Sequence, residues 1–414
     1  MRLTTEDLKI RIEEDRRMLR DMPLLLRELS GMARGNWIVA AERQRGKSYA
    51  LAQLVYQRTR QRADRRMYGT GHDFARGLHL RTQLVRGVRE LVEREAGDLR
   101  HHVVQRRFKR GRGVGDADLV EGWQELLEIL TARGAEVIVT MSCHAARTLE
   151  ETPALRETFG IRELADLSLY EFVRVSKLNY DDALDRLMRW GRYPGVLLAP
   201  DRRAERQQRL FRTLLYEELI PRYNIRNESA VRSLLHLLAE HLGEELSYNG
   251  LCRMLQAEEV KVGVTTVAEY ISMLKEAQLL YSVVSLSERT SRLPKQRYWF
   301  CDNGLLSLFA SETRLCERLL RNTMALSVIK TYRDHAIYCV SLRNASVDFY
   351  LPERDCAIGL CSNDETVYNA VRDLQRFDRK YPTAHKYIYT VGRIASPLPS
   401  GIFCRSLPEW SAGL

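Results

Sequence analysis

The chain has 414 residues, 45% of them hydrophobic and 29% charged, with a net charge of +11. That length gives room for two to about four domains with sizeable cores, and the composition is that of a folded chain, not a disordered one. No apolar run approaches the roughly 18–20 residues of a membrane span.

The start of the chain, "MRLTTEDLKIRIEEDRR", reads as a charged amphipathic helix over residues 1–30, without the apolar centre of a signal peptide. Thr4 and Asp7 fit a capping box, and Leu8, Ile12, Leu19 and Leu24–Leu26 supply its apolar face. The basic excess lies here and just beyond. Residues 1–120 carry 27 Lys+Arg against 16 Asp+Glu, while the rest of the chain carries 38 of each. Two dense stretches, "RTRQRADRR" (58–66) and "RRFKRGRG" (106–113), offer a surface for DNA or RNA phosphates, or equally a solvated helix face and a loop.

"WIVAA" reads as a short buried strand, then a loop, then the helix "KSYALAQLVYQRTRQ". The loop is Ala41-Glu42-Arg43-Gln44-Arg45-Gly46-Lys47-Ser48, against the phosphate-loop pattern G-x-x-x-x-G-K-[ST]. Gly46 lets backbone amides face phosphates, Lys47 supplies charge to them, and the Ser48 hydroxyl suits Mg²⁺. Ala41 replaces the first glycine, at a cost on the order of 1 kcal/mol if the position needs positive φ. Glu42 is repulsive toward a triphosphate. ATP and Mg²⁺ are therefore the expected cofactors.

Hydrolysis needs an acidic pair at the end of a neighbouring strand, and the sequence offers none. Asp116 and Asp118 are the nearest acids before Trp123, and they follow "RGRGVG", not an apolar strand. Asp116 stands as the Mg²⁺ candidate, with a solvated loop acid as its alternative.

Helices are expected in "GLHLRTQLVRGVRELVERE" and "LVEGWQELLEILTARG", and a buried parallel strand in "AEVIVTMS". From Arg162 to Leu242 the pattern is mostly helical, broken at "GRYPGVLLAP". Two helices, "ELSYNGLCRMLQAEE" and "VTTVAEYISMLKEAQLLYSV", precede the strands "LYSVVSL" and "RYWFCD", the order of a winged helix. The second helix carries one lysine and two glutamates, so packing between domains competes with DNA binding as its role. The last hundred residues mix the helix "ERLLRNTMALSVIKTY" with the strands "AIYCVSL", "SVDFYLP", "CAIGLCS" and "KYIYTVG". The eight cysteines form no CxxC pair, which suits structural thiols in a reducing cytoplasm.

Taken in order, these blocks resemble the prokaryotic AAA-type ATP-binding proteins that carry a C-terminal domain of unknown function. The similarity runs from about Trp37 to Tyr389. "RQRGKSYALAQL" matches the family's phosphate loop, with Arg43 at its characteristic arginine. "EGWQELLEIL" matches the helix after its acidic pair. "VIVTMS" matches a strand that makes Ser142 a sensor-like residue, with Met141 in place of glycine. "LSLYEF", "GRYPGVLL", "IPRYNIRN", "LSYNGLCRML", "TTVAEYISMLKEAQLLYSV" and "PKQRYWFCDNGLL" follow in the family's order. Arg222 in "IPRYNIRN" is either an arginine finger or sensor reaching a neighbour's phosphate, or a core-facing salt bridge.

The resemblance implies an α/β protein. Its parts are a P-loop AAA-type parallel-sheet domain (1–165), a helical lid (166–235), a winged helix (236–305) and an α/β restriction-nuclease-like domain (306–414). The last resembles a PD-(D/E)XK fold, whose site needs clustered carboxylates and a lysine. Asp348 in "SVDF" is kept, but Arg321, Gly359 and Cys361 stand where Glu, Glu and Lys belong, so no nuclease activity is expected. Two readings stay open: an ATP-binding protein that couples nucleotide to domain movement, on DNA or with a protein partner or second copy, and a degenerate scaffold binding nucleotide weakly or not at all.

Overall fold

Asn36–Ala40 (β1) is the strand on which the first part of the molecule is built. Its residues Ile38, Val39 and Ala40 are wholly buried. Side chains alternate across a strand, and β1 uses both of its faces. Ile38 and Ala40 join one cluster with Leu127, Met141, Ala145, Leu155 and Phe159. Val39 joins another with Ala41, Ala50 and Leu164. Burying side chains the size of Ile38 and Val39 stabilises by about 1.5–3 kcal/mol each, which is why so short an apolar run holds a central position.

The computed structural model describes residues 32, 35–41, 45–47, 50, 124, 127–128, 138–148, 153–164, 166–286, 294–390 and 397–406. The helices expected over 1–30 and 77–95 and both arginine-rich stretches lie outside the described residues. Of "EGWQELLEIL", Gln124, Leu127 and Glu128 are described and helical. Two units make up the chain, Met1–Leu178 with Tyr193–Leu198, and Asn179–Arg192 with Ala199–Leu414.

In the first unit β1 pairs in parallel with Ile138–Met141 (β2) on one side and Phe159–Glu163 (β3) on the other. Helices Cys143–Thr148 (α1) and Pro153–Thr158 (α2) lie between β2 and β3 in the chain, and Leu169–Ser176 (α3) follows. β3 differs from the sequence expectation, which runs a helical pattern on from Arg162. Among the described residues "FGIRE" pairs along one edge, with Phe159 buried and its other residues partly or fully exposed, so it lacks the apolar run that marks a central strand. α3 starts at a capping box: Ser168 Oγ accepts from Glu171 N at 3.2 Å, and Glu171 Oε2 accepts from Ser168 N at 2.8 Å.

The second unit holds helices Tyr180–Trp190 (α4), Arg203–Arg212 (α5), Glu228–Glu240 (α6), Tyr248–Ala257 (α7) and Val264–Glu276 (α8). After them come Leu280–Ser285 (β4), Gln296–Phe300 (β5), Asn303–Phe309 (α9) and Leu315–Thr331 (α10). Then follow Tyr338–Ser341 (β6), Ser346–Leu351 (β7), Cys356–Cys361 (β8), Asp364–Lys380 (α11), His385–Thr390 (β9) and Ile402–Arg405 (β10). The sheet order is β10-β9-β8-β7-β6-β4-β5. β4 and β5 form the antiparallel hairpin that follows helices α7 and α8, and β4 also pairs in parallel with β6. The hairpin is therefore one end of the seven-stranded sheet. α11 crosses from β8 to the parallel strand β9, burying Val367, Leu374 and Phe377.

Gly191 and Arg192 interlock with the "CDNG" segment within this unit. Asp302 is wholly buried; its Oδ2 accepts from Arg192 N at 2.6 Å and its Oδ1 from Gly304 N at 2.8 Å. Gly191 turns the chain with φ +79°, and a Cβ there would sit 2.0 Å from Asp302 Oδ1. Only glycine fits both the conformation and the space.

Candidate functional site

The ends of three parallel strands converge where β1 runs out. Ala41 N donates to Met141 O, at the end of β2, at 3.1 Å, and Leu164 N, just past β3, donates to Ala40 O at 2.7 Å. Open parallel sheets bind ligands at this carboxyl edge. Gly46 has φ +92°, a conformation that costs glycine little and other residues much. Directly after it the chain turns helical, with Ala50 N donating to Gly46 O at 3.0 Å. β1 thus precedes a positive-φ glycine at Gly46, and Lys47 and Ala50 beyond it are helical.

Two loop cations are withdrawn from water, each 6% exposed, and they serve different ends. Lys47 Nζ donates to Ala41 O at 2.7 Å, so the lysine closes the loop onto its first residue. Arg45 turns elsewhere: its Nη1 lies 2.7 Å from Asp166 Oδ1, and its guanidinium sits 4.4 Å from the centre of the Tyr193 ring. A planar guanidinium suits pairing at its edge and stacking on its face together. Asp166 and Tyr193 were not singled out in the sequence. Asp166 follows the unrecognised strand β3, and Tyr193 lies far along the chain; the "GRYPG" motif was the only available signal.

Ser142 immediately follows β2, beside the start of the loop, and its Oγ accepts from Ala145 N at 3.2 Å, capping α1. Arg43, Gln44, Ser48 and Asp116 lie outside the described residues. Arg222 is exposed and paired with Glu276 at 3.1 Å. Asp348, on β7, is buried within a cationic cluster. Its Oδ1 accepts from Arg297 at 2.9 Å and from Arg321 at 2.6 Å, and its Oδ2 accepts from Leu360 N at 2.8 Å. Arg297 also donates to Ser346 Oγ at 2.8 Å. Beside this cluster, burial pushes the Cys361 thiol up to about 12, with Asp348 adding to the shift.

Residues 181–314 match the model of a domain of unknown function, DUF8612. Over 248 residues the chain is 19% identical to "Uncharacterized protein MJ1544" of Methanocaldococcus jannaschii, covering 56% of each protein. Over 201 residues it is 22% identical to an "Uncharacterized protein" of Haemophilus influenzae, covering 46% of this chain and 50% of the relative. The chain thus spans about half the length of the curated relatives it matches. Among solved structures it is similar to the Aeropyrum pernix ORC1 protein in complex with DNA. That match has 14% identity and a TM-score of 0.32, and covers 77% of this chain and 94% of that one. Among the described residues, no helix is long and apolar enough to cross a membrane.

Proposed function

We propose that this chain is an AAA-type P-loop protein that binds ATP with Mg²⁺ at Ala41–Ser48 and couples that binding to movement of its domains. The observation that carries the reading is local: a buried strand, a positive-φ glycine at Gly46 and a lysine closed across the loop at Lys47, directly before a helical turn. These residues fit a phosphate group. Gly46 turns the backbone so that amides can face an anion, the helix start adds its positive dipole end, and Lys47 exchanges a neutral carbonyl partner for phosphate oxygens. Mg²⁺, when bound, neutralises phosphate charge, with the Ser48 hydroxyl as its protein contact. Ser142, directly after β2, is the polar sensor of this reading.

Within this reading the helices α7 and α8 with the hairpin β4–β5 are a winged helix, and the sheet from β6 onward is a nuclease-like domain without activity. Asp348 supports that last point, because its oxygens already serve two guanidiniums and a backbone amide. Turnover is proposed to be weak or absent, since no acidic pair was found for it in the sequence.

A thermal-shift titration with ATP and Mg²⁺, on wild type and Lys47→Ala, tests the proposal. A ligand at a hundredfold its Kd stabilises by about 2.7 kcal/mol, so the wild-type melting temperature should climb with ATP while that of Lys47→Ala stays flat. No shift in wild type at millimolar ATP would sink the reading.

A further inference from the structure

We propose that Arg202, Arg206 and Arg209, with Arg186 and Arg203 beside them, form a binding surface for the phosphodiester backbone of a nucleic acid. The surface lies on the second unit and is separate in sequence from the basic stretches of residues 1–120. Residues 121–414 are neutral overall, with equal numbers of basic and acidic side chains, so a stripe of one sign there is not the local sample of a generally basic chain.

Geometry makes the stripe. Arg202 ends a short helical turn that runs directly into α5. Arg206 and Arg209 are spaced i, i+3 on α5, which places them on one face of the helix, and Arg202 is the residue that immediately precedes it. All three side chains are exposed. The opposite face anchors the helix. Gln207 is buried and donates to Gly304 O at 2.6 Å and to Ser307 Oγ at 2.8 Å. Leu210 is buried, and Phe211 meets Phe309 edge-on at 5.0 Å. The arginines are thus carried by a fixed element, which lowers the ordering cost of a contact.

A second helix adds to the field. Arg186 of α4 is close enough to act on Arg203, whose pKa is held down by burial and then by that like charge. Asp201 and Glu205 lie on the same segment as Arg203, and Asp201 is the acid that offsets the repulsion there. Cations held together in this way favour a ligand of repeated negative charge. Along the helix, Arg206 and Arg209 are separated by about 4.5 Å at 1.5 Å per residue, against about 3.4 Å per charge on one DNA strand, so these two can meet neighbouring phosphates, with Arg202 at the end of the stripe. Guanidiniums pair with phosphate oxygens in bidentate fashion.

The test is fluorescence anisotropy on the full chain with a labelled duplex DNA and a labelled single-stranded RNA, across a salt series. The triple variant R202Q/R206Q/R209Q should bind at least about tenfold more weakly at moderate salt, and its log–log salt slope should shrink by about 2–3, near 0.9 per lost phosphate contact. The tighter of the two probes identifies the natural source of the backbone. R202K/R206K/R209K keeps the charge and should retain most of the binding, which separates lost contacts from misfolding; a circular-dichroism melt checks the fold of each variant. Unchanged affinity and slope in the folded glutamine variant overturn the proposal. So does loss of binding confined to R106Q/R107Q/K109Q/R110Q. The ATP-dependent thermal shift is read in parallel on wild type and R202Q/R206Q/R209Q and should be the same in both, so failure here leaves the nucleotide reading standing.

Discussion

Arg45 Nη1 lies 2.7 Å from Asp166 Oδ1, with the two side chains 6% and 16% exposed. A loop that presents its lysine toward its own opening residue holds its neighbouring arginine by a different anchor. The pair ties the loop to the segment after β3, and the Tyr193 ring covers the guanidinium.

Removing one member of this pair leaves the other charged and largely dry. Arg45→Ala or Asp166→Ala should each lower stability by roughly 3–5 kcal/mol, while the double variant should cost clearly less than the sum. Urea unfolding followed through tryptophan fluorescence reads this. Strict additivity would show that the ion pair contributes nothing.

The Asp348 cluster should respond unequally to its members. Asp348→Ala strands Arg297, whose side chain is 5% exposed, and should cost about 3–5 kcal/mol. Arg321, 33% exposed, keeps access to water, so Arg321→Ala should cost distinctly less. Chemical denaturation of the two variants decides the order, and an equal or reversed order refutes the account.

Glu240 gives a pH prediction. Burial pushes its carboxyl up, but hydrogen bonds from the Ser311 amide and hydroxyl, together with the Arg318 guanidinium, outweigh that and hold its pKa below the ordinary range. A depressed carboxyl stabilises the fold above its unfolded value of about 4.3 and loses that contribution as pH falls through the folded value. Glu240→Gln should therefore melt lower than wild type at pH 6, and the two curves should converge toward pH 3. A gap that persists unchanged at pH 3 would show that the side chain acts through its shape and not its charge.

Some of this molecule follows from local pattern. β1 and β2 were legible because each is a short apolar run bounded by turn-forming or polar residues, and Gly46-Lys47 because the motif is contiguous. The helices α7 and α8 and the hairpin after them were legible for the same reason, since caps such as Ser247 and runs such as "LYSVV" are set by near neighbours. α11 was not read, being so polar that its buried residues Val367, Leu374 and Phe377 are diluted among charges.

The rest was decided by distance in the chain. β3 has little apolar signal of its own and becomes a strand by pairing with β1. Arg45 finds Asp166 and Tyr193 more than a hundred residues away, and Arg297 finds Asp348 across several elements. A sequence shows which side chains carry charge; whether a charge is spent on a neighbour or left facing water depends on which strands and helices bring that neighbour within 3 Å. By itself the sequence determined the loop, its glycine and its lysine. Only the tertiary structure determined that the arginine beside them is anchored, that Asp348 is enclosed by cations, and that Arg206 and Arg209 of α5 face outward.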